Sequence, residues 1–218
     1  MNQDPYENLK EICYAACHDR KACAKGYKQM LESDNVEQMM QTWRDNWEDI
    51  VESKYADIIC KELPVIYPDL RQEMNRVGIY LNECPENARQ YVKVIITDTN
   101  EPVHIYGNAQ AYILGAAKVT AHDNSHVYNK KADAEVSLLD YSYGYIKAGK
   151  VTASGRSSLT CCCVATVAGA VRCSATGGTV RAKAYYEIEA YQDAIVYSHM
   201  TVGITLHDDA QIKEPESE

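Results

Sequence analysis

The chain has 218 residues, a net charge of −9 and an isoelectric point near 5.2. That length buries a core without disulfide or metal staples. The acidic balance excludes a protein that coats nucleic acid through Lys and Arg, or one held mainly to an anionic membrane surface.

No apolar run approaches the length of a membrane span. The start, MNQDPYENLKEIC, lacks the basic and apolar parts of a signal peptide. The expected setting is therefore cytoplasmic, with the nine cysteines reduced. Phe is absent while Tyr occurs 17 times, and Tyr, with its apolar body and polar tip, suits contact surfaces.

Residues 1–92 read as a helical domain. Leu9, Ile12, Cys13, Ala16 and Cys17 recur at three- and four-residue steps, the stripe of a packed helix. Asp34 or Asn35 is placed to cap a second helix, whose stripe is Val36, Met39, Met40, Trp43, Trp47, Ile50 and Val51. Pro64 is expected to end it. A third helix is expected from Pro68–Asp69 through Leu70 to about Tyr80. Trp43 and Trp47 share a face, which favours core packing over an exposed anchor for a partner.

Cys13, Cys17, His18 and Cys23 crowd together, and thiolate and imidazole are the usual zinc ligands. Their spacing lacks a second clean C-x2-4-C pair, so no metal is expected. In the run Cys161–Cys162–Cys163, strand parity puts the outer two on one side and the middle one on the other, which suits packing.

Residues 100–212 repeat in eights: GNAQAYIL, GAAKVTAH, DNSHVYNK, then ADAEVSLL and DYSYGYIK, and, after a less regular stretch, TGGTVRAK, AYYEIEAY, QDAIVYSH and MTVGITLH. Positions three, five and seven are small or apolar, as in Ala109, Ala111 and Ile113. Positions four and six are mostly polar. Five alternating residues make a short strand with one buried face, and the remaining three hold Gly, Asn and Asp for a corner. The fold class expected is α+β: an N-terminal helical cap followed by a single-stranded β-solenoid (β-helix) of about a dozen octads, two or three to the coil. The small third position is explained if opposite walls approach closely. Residues 213–218 would form an acidic tail.

The octads carried by Gly107, Asn108, Ala109 through Ala121, and Asp123, Asn124, Ser125, resemble β-solenoid segments in uncharacterised proteins of bacterial prophages and other mobile elements. In those a short helical part precedes repeats of the GNA-x-V-x-A kind. The resemblance covers roughly residues 100–212 and implies the fold; it brings no shared activity. Residues 160–175 depart from the Gly-Asn corner pattern.

Functionally, His122 and His126 flank Asp123, but no nucleophile motif, phosphate loop or HExxH accompanies them. A non-enzymatic protein-binding module without a cofactor is expected, its surface made by outward Tyr112, Tyr128, Tyr143, Tyr145, Tyr185, Glu187, Glu189, Tyr191, Asp193 and Tyr197. The negative charge makes a basic protein partner the natural expectation, such as a host nucleic-acid-binding or defence protein, with no direct nucleic-acid or membrane contact. The alternative is a structural solenoid that self-assembles into a homo-oligomer.

Overall fold

The fold is taken from a computed structural model, which describes residues 7, 9–12, 14–15, 28–29, 31–87, 91–130, 132–199 and 203–215. The Cys13, Cys17, His18 and Cys23 group lies outside them.

Helix α1 spans Val36–Asp45. Asn35 is extended and caps it, its Oδ1 accepting from the Gln38 amide at 2.9 Å. The helix does not run on to Pro64. It breaks at Asn46, and α2 follows over Trp47–Glu52. A π-helical turn, Ile58–Glu62, leads into α3, Leu63–Ile66. Pro64 therefore sits in the first turn of a helix rather than ending one; there its missing N–H is not needed. Helix α4 spans Asp69–Arg76. The expected continuation to Tyr80 is replaced by a strand, because Gly78 at φ +79° turns the chain out of the helix.

From there the chain winds as a parallel β-solenoid of about eight turns. Face one holds β1 (Ile79–Leu81), β2 (Lys93–Ile96), β4 (Gln110–Ile113), β6 (His126–Asn129), β8 (Tyr143–Ile146) and β10 (Ser158–Cys161). Face two holds β3 (Val103–Ile105), β5 (Lys118–Ala121), β7 (Glu135–Leu138) and β9 (Lys150–Ala153). Strands β11 (Val164–Thr176) and β12 (Thr179–Tyr191) bend round a corner and serve both faces. Face one ends with β14 (Ile204–Leu206), and face two with β13 (Ile195–Tyr197) and β15 (Gln211–Lys213). Two octads make one coil. Partners in adjacent rungs lie from fourteen residues apart, as Leu159 and Cys173, to seventeen, as Ile95 and Tyr112. The solenoid thus begins at Ile79, before residue 100.

The octad phase matches the burial. Ala109, Ala111, Val119, Ala121, Val127, Val136, Ala190, Ala194 and Val196 line one continuous core. The walls are close. A Cβ on Gly144 of face one would lie 2.5 Å from Leu138 Cδ1 of face two, so the glycine makes room for the leucine opposite. Buried Ser125, Ser142 and Ser157 take the third position in their octads, and further along the same column Val171 and then Tyr186 pack on the core. Cys161 and Cys163 face this core while Cys162 is exposed, as strand parity requires.

At one corner Asp123 and Asp140 adopt left-handed φ near +55°, which Asp tolerates better than most residues. Asp123 Oδ2 accepts from the Gly107 amide of the preceding rung at 2.9 Å, and Asp140 Oδ2 from the Asp123 amide at 3.3 Å. Asp208 repeats the device at the other corner, on the Gln192 amide. The irregular stretch needs no such cap. Gly169, at φ +93°, lets β11 run round the corner while staying paired with β12.

The helices lie along the outer side of face one. Trp43 and Trp47 are buried with Met39, Ile50, Leu63, Leu70 and Met74, in a cluster that also takes Ile79, Ile95 and Tyr112 from the first rungs. None of the described helices is long and apolar enough to cross a membrane.

Candidate functional site

Outward side chains on stacked strands fall into columns, because each rung repeats the last in register. One column on face one runs Ile95, Tyr112, Tyr128, Tyr145. Beside it run Lys93, Gln110, His126, Tyr143. Where helix α2 meets these columns the surface dips into two adjoining clefts, of about 430 Å³ and 230 Å³. Glu52, Tyr112 and Lys130 line both.

Four of the expected surface tyrosines, Tyr112, Tyr128, Tyr143 and Tyr145, line the smaller cleft with Trp47 and Glu48. Their accessibility differs from expectation. Tyr112 is only 6 % exposed, because the helices cover it. It points away from the solenoid axis, as the octad phase requires, but is not a solvent-facing contact. Tyr128 stacks on it, with centroids 6.4 Å apart, and is half-buried. Tyr143 meets Tyr128 edge-on, and Lys147 Nζ lies over the Tyr145 ring. Burial pushes the Tyr128 phenol up, with smaller contributions from Tyr143 and Glu48.

The cleft's charges are largely engaged. Lys130 pairs with Glu52, joining solenoid to helix. Burial pushes the Lys93 ammonium down, opposed by Glu48 and assisted by Arg44. Lys93 Nζ also lies over Trp47 and donates to Gln110. The sequence signal for this junction is the run Val94–Ile95–Ile96, which is apolar on both faces and breaks the alternation where the helices dock.

The remaining expected residues lie several rungs away and do not form one face. Glu187, Glu189 and Tyr191 project from face one of β12, Asp193 sits at a corner, and Tyr197 projects from face two. The Tyr185 side chain lies outside the described residues. Arg172 Nε faces Glu187 Oε2 at 3.3 Å, and the Tyr191 hydroxyl donates to Glu189 Oε2 at 2.6 Å. The Tyr191 ring stacks on His207 of the next rung at 4.4 Å. These carboxylates therefore already have partners within the surface.

Asp123 and His126 are engaged separately. The Asp123 carboxylate caps Gly107, and His126 packs against Tyr143. Burial pushes the His126 imidazole down.

The last rung has a different character. Inward positions that are buried in earlier rungs become accessible here: Leu206 is 40 % exposed, and Ile204 and Ile212 are half-exposed. Strand β14 pairs only with β12 and β15 only with β13, so among the described residues each leaves one edge unpaired. At the other end Tyr80 and Cys84 pack against the core, and the Leu81 carbonyl accepts from Arg71 Nη2 at 2.9 Å.

No protein-family model, curated protein or solved structure matches the chain.

Proposed function

We propose that the protein is a structural module: a rigid, non-catalytic β-solenoid that associates with a second copy of itself, tail to tail. The observation that carries this reading is the rung of β14 and β15, where among the described residues Leu206 is exposed, Ile204 and Ile212 are half-exposed, and two strand edges are unpaired. Such an edge is a template for strand addition. At the opposite end Tyr80 and Cys84 pack against the core and Arg71 occupies a carbonyl of the β1 edge, which makes that edge a poorer template, while β3 keeps one edge unpaired among the described residues. Tail-to-tail pairing is isologous and closes as a twofold dimer. One rung offers a small interface, so the dimer is expected at about micromolar strength, at the low end for specific association.

Sedimentation velocity over a concentration series tests this. The wild type should shift to twice the monomer mass. Leu206→Asp, which places a charge in the contact at a site already exposed, should hold the chain monomeric with an unchanged circular dichroism spectrum. A chain that is monomeric throughout, or a dimer indifferent to Leu206→Asp, would overturn the reading.

A second reading keeps the acidic Tyr-rich surface as a docking site for a basic protein, in the mobile-element setting that the resemblance implies and the cytoplasmic setting expected from the sequence. Its support is the aromatic cleft at Tyr128, Tyr143 and Tyr145. An arginine-rich peptide titrated at low salt should bind, and Tyr143→Ala with Tyr145→Ala should abolish binding. The internal engagement of Glu187 and Glu189 counts against it.

A further inference from the structure

On face two, away from the helices, two imidazoles from neighbouring rungs come together. His104 projects outward from β3, and His122 begins the corner after β5. The register pairs Ile105 with Ala121, so His122 stands beside Tyr106 and diagonally across from His104. His104 Nδ1 and His122 Nε2 are 3.1 Å apart. The His122 ring stacks on Tyr106 at 4.9 Å with an interplanar angle of 13°, which fixes its orientation. The two histidine rings lie 20° from parallel with centroids 5.4 Å apart. His104 is exposed and His122 half-buried.

We propose that His104 and His122 form a two-imidazole site for a divalent transition-metal ion of the nickel or zinc class. Imidazole nitrogen suits these ions and binds zinc at about 2.0–2.1 Å. Two such bonds place the nitrogens roughly 2.9 Å apart at a right angle and roughly 3.4 Å apart at a tetrahedral angle. The observed 3.1 Å falls between these values, and because the two nitrogens face each other nearly in line, each ring turns about its side-chain bonds to direct its lone pair at a shared ion. In the metal-free pair one nitrogen of the contact carries the proton and the other accepts it. On binding, that proton moves to the far nitrogen of its own ring, and both lone pairs then face the ion. No third His, Cys, Asp or Glu of the described residues joins the pair. Water completes the shell, leaving positions open to a ligand from outside.

The site also has a structural consequence. Among the described residues, strand β3 is the first strand of face two and pairs only with β5. A metal held between His104 and His122 ties that edge strand to the next rung, and so stabilises the end of face two that the helices leave uncovered.

The test is a titration of the untagged, full-length protein with Ni²⁺ at pH 8, where imidazole is neutral. Heat of binding and paramagnetic broadening of the histidine ring signals are recorded together. The expected result is broadening of His104 and His122 ahead of the other histidines. Loss of either imidazole by His104→Ala or His122→Ala should weaken binding roughly tenfold or more, through loss of the second attachment point. His126→Ala and His207→Ala should leave it unchanged. Thermal unfolding should rise with Ni²⁺ in the wild type and in the two control variants. Absence of binding, binding undiminished in both His→Ala variants, or broadening that begins at other histidines would overturn the proposal.

Discussion

If opposite walls of the solenoid meet across a narrow axis, residues far apart in sequence must trade volume. Leu138 and Gly144 offer the sharpest case. A methyl group at position 144 would come 2.5 Å from Leu138 Cδ1 and 3.3 Å from Ile146 Cγ1, well inside normal contact. Gly144→Ala should therefore overpack the core and cost about 1–3 kcal/mol. Some of that is returned by the lower entropy of the unfolded chain, about 0.4–1 kcal/mol. Leu138→Ala leaves a cavity in a fully buried site and should cost about 2–5 kcal/mol.

The decisive quantity is the coupling. In the double variant the new methyl group occupies part of the space the leucine vacated. Gly144→Ala should then be neutral or stabilising, and the pair should deviate from additivity by about 1–2 kcal/mol. Urea unfolding of the four proteins, followed by circular dichroism, measures it. Strictly additive losses would mean that the two positions do not face each other, and the packing argument would fail with them.

Two further predictions follow from the same geometry. Ser157 Oγ is buried and has no hydrogen-bond partner among the described residues, whereas Ser142 Oγ donates to the Leu139 carbonyl at 2.7 Å. Ser157→Ala should stabilise by about 1 kcal/mol and Ser142→Ala should destabilise by a similar amount, shifts of roughly 2–4 °C in opposite directions in a thermal melt; equal losses would refute the inward placement of Ser157. Asp98 accepts from the Ala116 amide at 2.8 Å and from Lys61 Nζ at 3.2 Å, and these contacts hold its carboxyl below the usual value. A depressed carboxyl contributes stability that is present above its unfolded value and lost as pH falls through the folded one, so stability should decline below about pH 4. Asp98→Asn should flatten that part of the profile, and an unchanged profile would show that the contact is not formed.

The reach of sequence reasoning differed between the inside and the outside of the solenoid. Inside, the third, fifth and seventh octad positions could be read directly, because a period-two strand forces alternate residues inward wherever one face is buried. Coil size was not legible, because a corner of Gly and Asp looks the same in a two-sided and a three-sided winding. The long strands β11 and β12 were hidden for a related reason: Ala168–Gly169–Ala170 turns a corner without the usual polar residues. Outside, parity shows that Tyr112 points away from the axis but not what lies over it. Only the doubly apolar strand at Ile95 marks where the helices dock. The break at Asn46 was missed because local turn geometry overrode an apolar stripe that continues through it, whereas Gly78 was legible as the close of the next helix, which ends two residues before it.

Interproton contacts on face two probe the winding itself. Thr120, Ser137, Thr152 and Thr166 stand in one column, each paired in parallel with the next. Nuclear Overhauser spectra of the labelled protein should link the backbone protons of Thr120 to those around Ser137, Ser137 to Thr152, and Thr152 to Thr166, skipping the intervening strand every time. Contacts of β5 with β6, its neighbour in sequence, in antiparallel order would instead describe facing hairpin sheets and contradict the solenoid.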